Sequence, residues 1–216
     1  MGILAVSTAS IFIRYAQTEV SSLVISFYRL GIATLILAPY VLIKNRTEFS
    51  NLVKRDWILL FFSGVFLGLH FASWITSLKY TTVASSVVLV TTTPLWVALL
   101  GGLILKEKIT RGVWAGLAIT MTGAVLVALS QICGWGSDGW SCVNLSAMFG
   151  DKAMLGNALA LTGALMAACY LLIGRSVRPR ISLLTYIFVI YGVAAITVFL
   201  LSLATKQQFT GFPGGN

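Results

Sequence analysis

Long apolar segments, most of them long enough to cross a bilayer, recur along the chain and limit what it can fold into. A helix needs roughly 20 apolar residues to span the hydrocarbon core. We predict seven spans, at residues 2–16, 22–43, 57–78, 82–105, 111–130, 153–174 and 182–205. Hydrophobic residues fill 58% of the 216 positions and charged residues only 10%, which excludes a soluble domain and a disordered chain. The prediction is an all-α, polytopic transmembrane helix bundle.

The positive charges between the spans predict the orientation of this bundle. Ten Lys and Arg residues follow the second, fourth and sixth spans, whereas four lie at the opposite ends. The ten are Lys44, Arg46, Lys54, Arg55, Lys106, Lys108, Arg111, Arg175, Arg178 and Arg180. We therefore expect the N-terminus in the cytoplasm. The net charge of +9 follows from this topology, and since no nucleic-acid-binding motif accompanies it, we expect no nucleic-acid partner.

Two parts of the chain resemble each other at a separation of 161 residues. The offset aligns identical residues, among them Arg14 with Arg175, Ser21 with Ser182, Phe27 with Phe188, Gly31 with Gly192 and Leu42 with Leu203. The first and sixth spans run in opposite directions, so the copies are inverted, as is common in secondary transporters. We predict a first repeat of five helices at 1–130 with its first helix shortened, an external loop at 131–152, and the first two helices of a second repeat at 153–216.

Several short motifs carry a family resemblance. They are Phe27-Tyr28-Arg29, the stretch 77–86, Thr93-Pro94-Leu95-Trp96, the stretch 105–109, and the glycines Gly116 and Gly123. Together they resemble the EamA-type permeases of the drug/metabolite transporter superfamily. The resemblance implies ten spans in two inverted five-helix repeats around a central substrate path, in a bacterial inner membrane. Against that pattern we expect the chain to be truncated, with three spans of the second repeat absent.

Ionisable residues inside a span are the first candidates for substrate binding. Arg29 and His70 are predicted to share a layer about 10 Å from the external membrane face, at 1.5 Å of rise per residue. An arginine there can bind a carboxylate or a phosphate through two hydrogen bonds. Trp74 follows His70 by one helical turn, so the two share a face that suits a small amphipathic solute. The alternatives are an Arg29 that binds backbone carbonyls or extends to the interface, a core His70 bonded to a hydroxyl, and a Trp74 that only packs.

A second group of candidates lies in the fourth span, near the middle of the bilayer. Pro94 lacks a backbone donor and frees the carbonyl about four residues earlier, near Val90. Free carbonyls at this depth are tolerated only where protein or a water-filled cavity satisfies them. We therefore predict a kink beside the substrate path, bordered by Thr92, Thr93 and Trp96.

Other residues are assigned structural roles. Glycines at a spacing of four, as in Gly64/Gly68 and Gly112/Gly116, let helices approach closely. Gly64, Gly68 and Gly116 are therefore assigned to helix packing, and Gly123 is given a structural role because it suits the family pattern. Glu107 ends the fourth span among basic residues and is expected to pair with them at the membrane surface.

Cys133 and Cys142 lie in the predicted external loop. They form a disulfide if that compartment is oxidising, and two unpaired thiols are the alternative.

The leading functional hypothesis is a secondary transporter, a permease or exporter, that moves small metabolites or drug-like solutes by alternating access between inverted repeats. The sequence contains no Gly-x-Ser-x-Gly, His-Glu-x-x-His or P-loop motif, so we expect no enzyme, no cofactor and no metal. The expected partners are the lipid bilayer and a small-molecule substrate. The alternative is a truncated or accessory membrane subunit that transports only with a partner, for example as a homodimer.

Overall fold

A computed structural model describes residues 2–104, 106, 110–130, 133–136, 139–142, 150–207 and 209. Within these residues the chain forms nine helices and one two-stranded sheet. The helices are α1 (Gly2–Ala16), α2 (Ser22–Lys44), α3 (Arg46–Ser50), α4 (Lys54–Tyr80), α5 (Val83–Val90), α6 (Thr93–Ile104), α7 (Arg111–Ser130), α8 (Asp151–Val177) and α9 (Leu183–Ala204). The strands are β1 (Cys133–Gly136) and β2 (Gly139–Cys142).

The predicted transmembrane helix bundle is confirmed. Among the described residues, five helical segments are long and apolar enough to cross a membrane: Ser22–Lys44, Lys54–Tyr80, Val83–Ile104, Lys152–Val177 and Leu183–Ala204. The third of these is interrupted and consists of α5 and α6. The predicted spans at 2–16 and 111–130 also form helices, α1 and α7. That these two cross the membrane stays a prediction.

Helix α4 forms the centre of the bundle. It packs most extensively against α8 and then against α9, while α2 packs along α9. Small residues make these approaches possible: a Cβ atom at Gly64 of α4 would lie 2.5 Å from the Cβ atom of Val193 on α9. On α8, the buried residues Ala160, Ala164 and Ala168 offer the same kind of smooth surface. The tight helix contacts therefore follow from side chains that take up little room.

Helices α2 and α9 run antiparallel. Where α2 ends and α9 begins, the Nδ2 atom of Asn45 donates a hydrogen bond of 2.8 Å to the Oγ atom of Ser182. At the other end, Ser22 and Thr205 line one cavity. We call these the Asn45 end and the Ser22 end of the bundle. Opposite directions of α2 and α9 are what an inverted repeat requires.

A small hairpin lies inside the segment predicted as an external loop. Strands β1 and β2 pair antiparallel, with Cys133 opposite Cys142 and Trp135 opposite Trp140. Gly139 has φ +98°, a conformation that glycine adopts without strain. Cys133 is disulfide-bonded, whereas Cys169, in α8, is free.

Candidate substrate site

The guanidinium group of Arg29 lies inside the bundle, against an aromatic ring of α4. Its Cζ atom is 5.2 Å from the centroid of the Phe71 ring, a cation–π contact. Arg29 is half-buried, on a helix long and apolar enough to span a membrane. In the described part of the chain, no hydrogen bond or ion pair to the Arg29 guanidinium is found. A guanidinium in contact with a ring face retains its capacity to bind an anion.

His70 is fixed by a contact between α4 and α8. Its Nδ1 atom lies 2.8 Å from the carbonyl oxygen of Gly163. A carbonyl oxygen only accepts hydrogen bonds, so Nδ1 carries the proton and donates. In the neutral ring this leaves Nε2 as an acceptor. The partner is thus a backbone carbonyl, rather than the hydroxyl considered from the sequence.

Trp74 completes an aromatic cluster around His70. The His70 and Trp74 rings stack with centroids 6.0 Å apart and planes at 13°, and the ring of Tyr170 from α8 lies 6.3 Å from His70. The Phe71 ring is 6.2 Å from that of Trp74, so Phe71 contacts both Arg29 and the aromatic group. We call Arg29, His70, Phe71, Trp74 and Tyr170 the Arg29 cluster.

The indole nitrogen of Trp74 is a buried donor with an unmet hydrogen bond. Trp74 is 8% exposed, and its Nε1 atom has no hydrogen-bond partner among the described residues. A buried donor left in this state costs about 1–3 kcal/mol. Trp74 and Arg29 therefore supply one neutral donor and one cationic donor, beside aromatic faces. This combination suits a solute with an anionic group and an apolar body.

The interrupted fourth span satisfies its own backbone. Helix α5 ends at Val90 and α6 begins at Thr93, so the helix breaks just before Pro94. The hydroxyl groups of Thr91, Thr92 and Thr93 donate to the carbonyls of the third residue before each, at 2.8, 2.6 and 2.7 Å. The last of these carbonyls is that of Val90, which Pro94 was expected to free.

The Trp96 side chain is also bonded within this break. Its Nε1 atom donates to the Oγ1 atom of Thr92 at 3.2 Å. Among the described residues, no hydrogen bond or ring contact joins Thr92, Thr93, Pro94 or Trp96 to the Arg29 cluster. The predicted site residues therefore form two groups, and Arg29, His70 and Trp74 are brought together in one of them.

Two members of the Arg29 cluster, Phe71 and Tyr170, are not predicted from the sequence. Phe71 adjoins His70 in the sequence, and only the approach of α2 identifies it as the ring that holds Arg29. Tyr170 lies 100 residues after His70 in the chain, and its place depends on the packing of α8 against α4. Hydropathy carries no signal for that pairing.

The glycines assigned to packing differ in their surroundings. A Cβ atom at Gly68 would lie 3.0 Å from the carbonyl oxygen of Ala194, and one at Gly64 would lie still closer to α9, 2.5 Å from the Cβ atom of Val193. At Gly116 and Gly123 such an atom would meet nothing within 4 Å in the described part of the chain. Their packing role stays a prediction. Glu107 lies outside the described residues.

Two polar residues of α1 and the turn after it join that helix to α4. The guanidinium of Arg14 donates to the carbonyl oxygens of Leu78 and Thr81, the latter at 2.7 Å. The Nε2 atom of Gln17 donates to the carbonyl oxygen of Ile75 at 2.6 Å. A helix leaves its last carbonyls without intrahelical partners. Arg14, which aligns with Arg175 in the repeat, thus binds the end of α4.

Together, the helix bundle, the antiparallel α2 and α9, and the Arg29 cluster between the helices define a polytopic membrane protein with a cationic and aromatic cluster inside its bundle. The profile of the EamA-like transporter family matches residues 1–129, more than half of the 216-residue chain. The chain belongs to the EamA-like transporter family. It is thus a permease of the drug/metabolite transporter superfamily, whose members are membrane transporters rather than enzymes. No curated protein and no solved structure matches the chain.

Proposed function

We propose that this protein is a secondary carrier for small organic anions or zwitterions that have an apolar body. The observation that carries the proposal is Arg29, a half-buried cation in a membrane-spanning segment whose guanidinium contacts the face of Phe71. A cation inside a membrane is costly, and where it occurs it marks a substrate or ion pathway by default.

The substrate class follows from the groups around Arg29. The guanidinium binds the anionic end of the solute, and the Trp74 Nε1–H donates to a second acceptor. The rings of Phe71 and Trp74 contact the apolar body. A neutral sugar leaves the cation unpaired, so it is a poorer match for this site.

Transport proceeds by alternating access between the two inverted repeats. The antiparallel packing of α2 against α9 supports this mechanism. The Asn45 end is the cytoplasmic end, because Lys44, Lys54, Arg55, Arg175 and Arg178 are concentrated there. The Arg29 cluster then lies nearer the external face.

A thermal-shift screen of the full chain in detergent tests the proposal. Amino acids, organic acids, nucleosides and sugars are compared on the wild type and on Arg29→Gln. A ligand raises the melting temperature of the state that binds it, so we expect amphipathic anions or zwitterions to stabilise the wild type and to lose that effect in Arg29→Gln. Stabilisation by neutral sugars or nucleosides alone, equal in both proteins, contradicts the proposal.

A further inference from the structure

Polar side chains at the Asn45 end join the connection between α2 and α4 to the connection between α8 and α9. The Nδ2 atom of Asn45 donates to the Oγ atom of Ser182 at 2.8 Å and to the Oγ1 atom of Thr185 at 3.1 Å. The backbone amide of Ser182 donates to a carboxylate oxygen of Glu48 at 2.9 Å. These bonds link the predicted first repeat to the predicted second one.

An ion pair between Asp56 and Arg180 strengthens the same junction. Asp56 is fully buried, whereas 44% of the Arg180 side chain is exposed. The second carboxylate oxygen of Asp56 accepts from the backbone amide of Val53 at 3.2 Å. Removing the cation leaves a buried, uncompensated carboxylate, which strongly destabilises such a contact. We call Asn45, Glu48, Asp56, Arg180, Ser182 and Thr185 the polar latch.

The Ser22 end of the bundle is built differently. A cavity of about 250 Å³ lies between the ends of α1, α2, α4 and α9. Its lining includes Gln17, Ser22, Thr76, Lys79 and Thr205. In the described part of the chain, no hydrogen bond crosses from α2 to α9 at this end. The two helices are thus joined by polar bonds at one end, whereas at the other end their described residues meet only through apolar contacts such as Phe27 and Phe199, whose ring centroids are 5.4 Å apart, beside this cavity.

We infer that the polar latch is the cytoplasmic gate of the transporter, closed in this conformation, and that its contacts separate when the solute path opens to that side. The inference rests on the proposed function. Opening on this side breaks a few part-buried hydrogen bonds and one ion pair, which is a smaller change than separating a packed apolar interface. The contacts lie in the connections and first helical turns at one end of the bundle, between residues 45–56 and residues 180–185.

Ser63 provides a reporter behind the latch. It lies seven residues after Asp56 on α4, about 10 Å deeper at 1.5 Å per residue. Its side chain is fully buried, and its Oγ atom lies 2.7 Å from the hydroxyl oxygen of Tyr186 on α9. Labelling at this depth therefore reports whether water reaches the α4–α9 contact beyond Asp56.

The experiment measures how fast a charged maleimide labels Ser63→Cys in the full chain, with Cys169→Ala as the background and the protein in lipid nanodiscs. Asp56→Asn removes the charge but keeps an oxygen for the Val53 amide, and Arg180→Gln removes the other partner. Each is expected to raise the labelling rate about tenfold or more, since loss of one partner of a buried pair has an effect of this size or larger. Arg180→Lys, which retains the cation, is expected to restore most of the protection.

Arg178→Gln is the matched control, because Arg178 lies in the same connection but outside the latch. Monodisperse elution and a cooperative melting transition establish that each variant is folded. If neither charge variant folds, the labelling rate is measured in Asn45→Ala instead. Unchanged labelling in folded latch variants, or an equal rise in Arg178→Gln, overturns the inference. The labelling assay contains no solute, so a negative labelling result does not contradict the proposed role of Arg29. In the same way, a negative result in the Arg29 ligand screen does not contradict the proposed gate.

Discussion

Ser21 and Ser182, 161 positions apart, cap the first turns of two antiparallel helices. The Oγ atom of Ser21 accepts from the amide of Val24 at the start of α2, at 3.5 Å. The Oγ atom of Ser182 accepts from the amide of Thr185 at the start of α9, at 3.3 Å. With the same offset, the end of α1 at Ala16 corresponds to the end of α8 at Val177. Matching helix boundaries support the repeat predicted from identical residues.

The two caps predict different losses of stability. Each serine satisfies an amide that the helix itself leaves free, and replacing such a cap by alanine costs about 1 kcal/mol. Ser182 also accepts the bond from Asn45, so Ser182→Ala is expected to destabilise the protein more than Ser21→Ala. Thermal unfolding of the two variants in the same detergent measures the difference. An equal loss, or a larger one in Ser21→Ala, contradicts this account of the junction.

Glu48 predicts a pH-dependent part of the stability. Burial disfavours its charged form, but hydrogen bonds from the Ser182 amide and from the Ser182 and Thr185 hydroxyls outweigh that effect and lower its pKa below the ordinary 4.5. A lowered pKa means that the contribution is complete above the unfolded pKa of about 4.3 and disappears as the pH falls through the folded value.

The measurement compares the melting temperatures of wild type and Glu48→Gln between pH 7 and pH 3. We expect the wild type to be more stable at pH 7 and the difference to vanish at the acid end. Glu19→Gln, which changes an exposed glutamate at the other end of the bundle, serves as the control. A constant difference across the whole pH range contradicts the assigned cause.

The contact between α4 and α9 predicts a strong effect of one methyl group. In Gly64→Ala the new Cβ atom would lie 2.5 Å from the Val193 Cβ atom and 3.0 Å from the carbonyl oxygen of Ile190. Overpacking of this kind costs about 1–3 kcal/mol.

Gly31→Ala on α2 is the matched control, since nothing in the described residues lies within 4 Å of its added atom. It is expected to be neutral, or stabilising by up to about 1 kcal/mol. Unfolding in a denaturing detergent series gives both values. Equal stability of the two variants would show that α4 and α9 are further apart than the structure places them.

The break between α5 and α6 predicts unequal roles for two neighbouring threonines. The hydroxyl of Thr92 donates to the carbonyl of Leu89 and accepts from Trp96, and Thr92 is buried. Thr92→Val therefore leaves the Trp96 donor without its partner, a loss of about 1–3 kcal/mol. Thr91→Val, at an exposed position, is expected to change stability by about 0.5 kcal/mol or less. Thermal unfolding distinguishes the two, and equal losses contradict the role given to Thr92.

The sequence predicts the helices well because crossing a membrane depends on length and apolarity alone. It fails at the first turn of α4. The predicted span begins at residue 57, since Lys54, Arg55 and Asp56 resemble a polar loop, yet α4 begins at Lys54 and Asp56 is fully buried. The Arg180 that pairs with Asp56 lies 124 residues away. Local composition contains no sign of that partner.

In the candidate site, too, features set within one helix can be predicted from the sequence, whereas contacts between helices cannot. The rise per residue of a helix predicts that Arg29 and His70 lie at similar depths, and in the structure both side chains contact Phe71. The Gly163 carbonyl that binds His70 could not be foreseen. This contact depends on which face of α8 packs against α4, and mean hydropathy does not indicate which helices pack together.

The most direct test of the central claim is solute uptake into proteoliposomes that contain wild type, Arg29→Gln or, as a control for loss of a positive charge, Lys54→Gln. The labelled solute is the organic anion that stabilises the wild type most. Losing a charge-assisted hydrogen bond costs about 1.5–3 kcal/mol, so Arg29→Gln is predicted to reduce uptake by about tenfold to a hundredfold, with an unchanged melting temperature and with full uptake by Lys54→Gln. Uptake by folded Arg29→Gln at the wild-type rate would contradict the claim that Arg29 binds the transported anion.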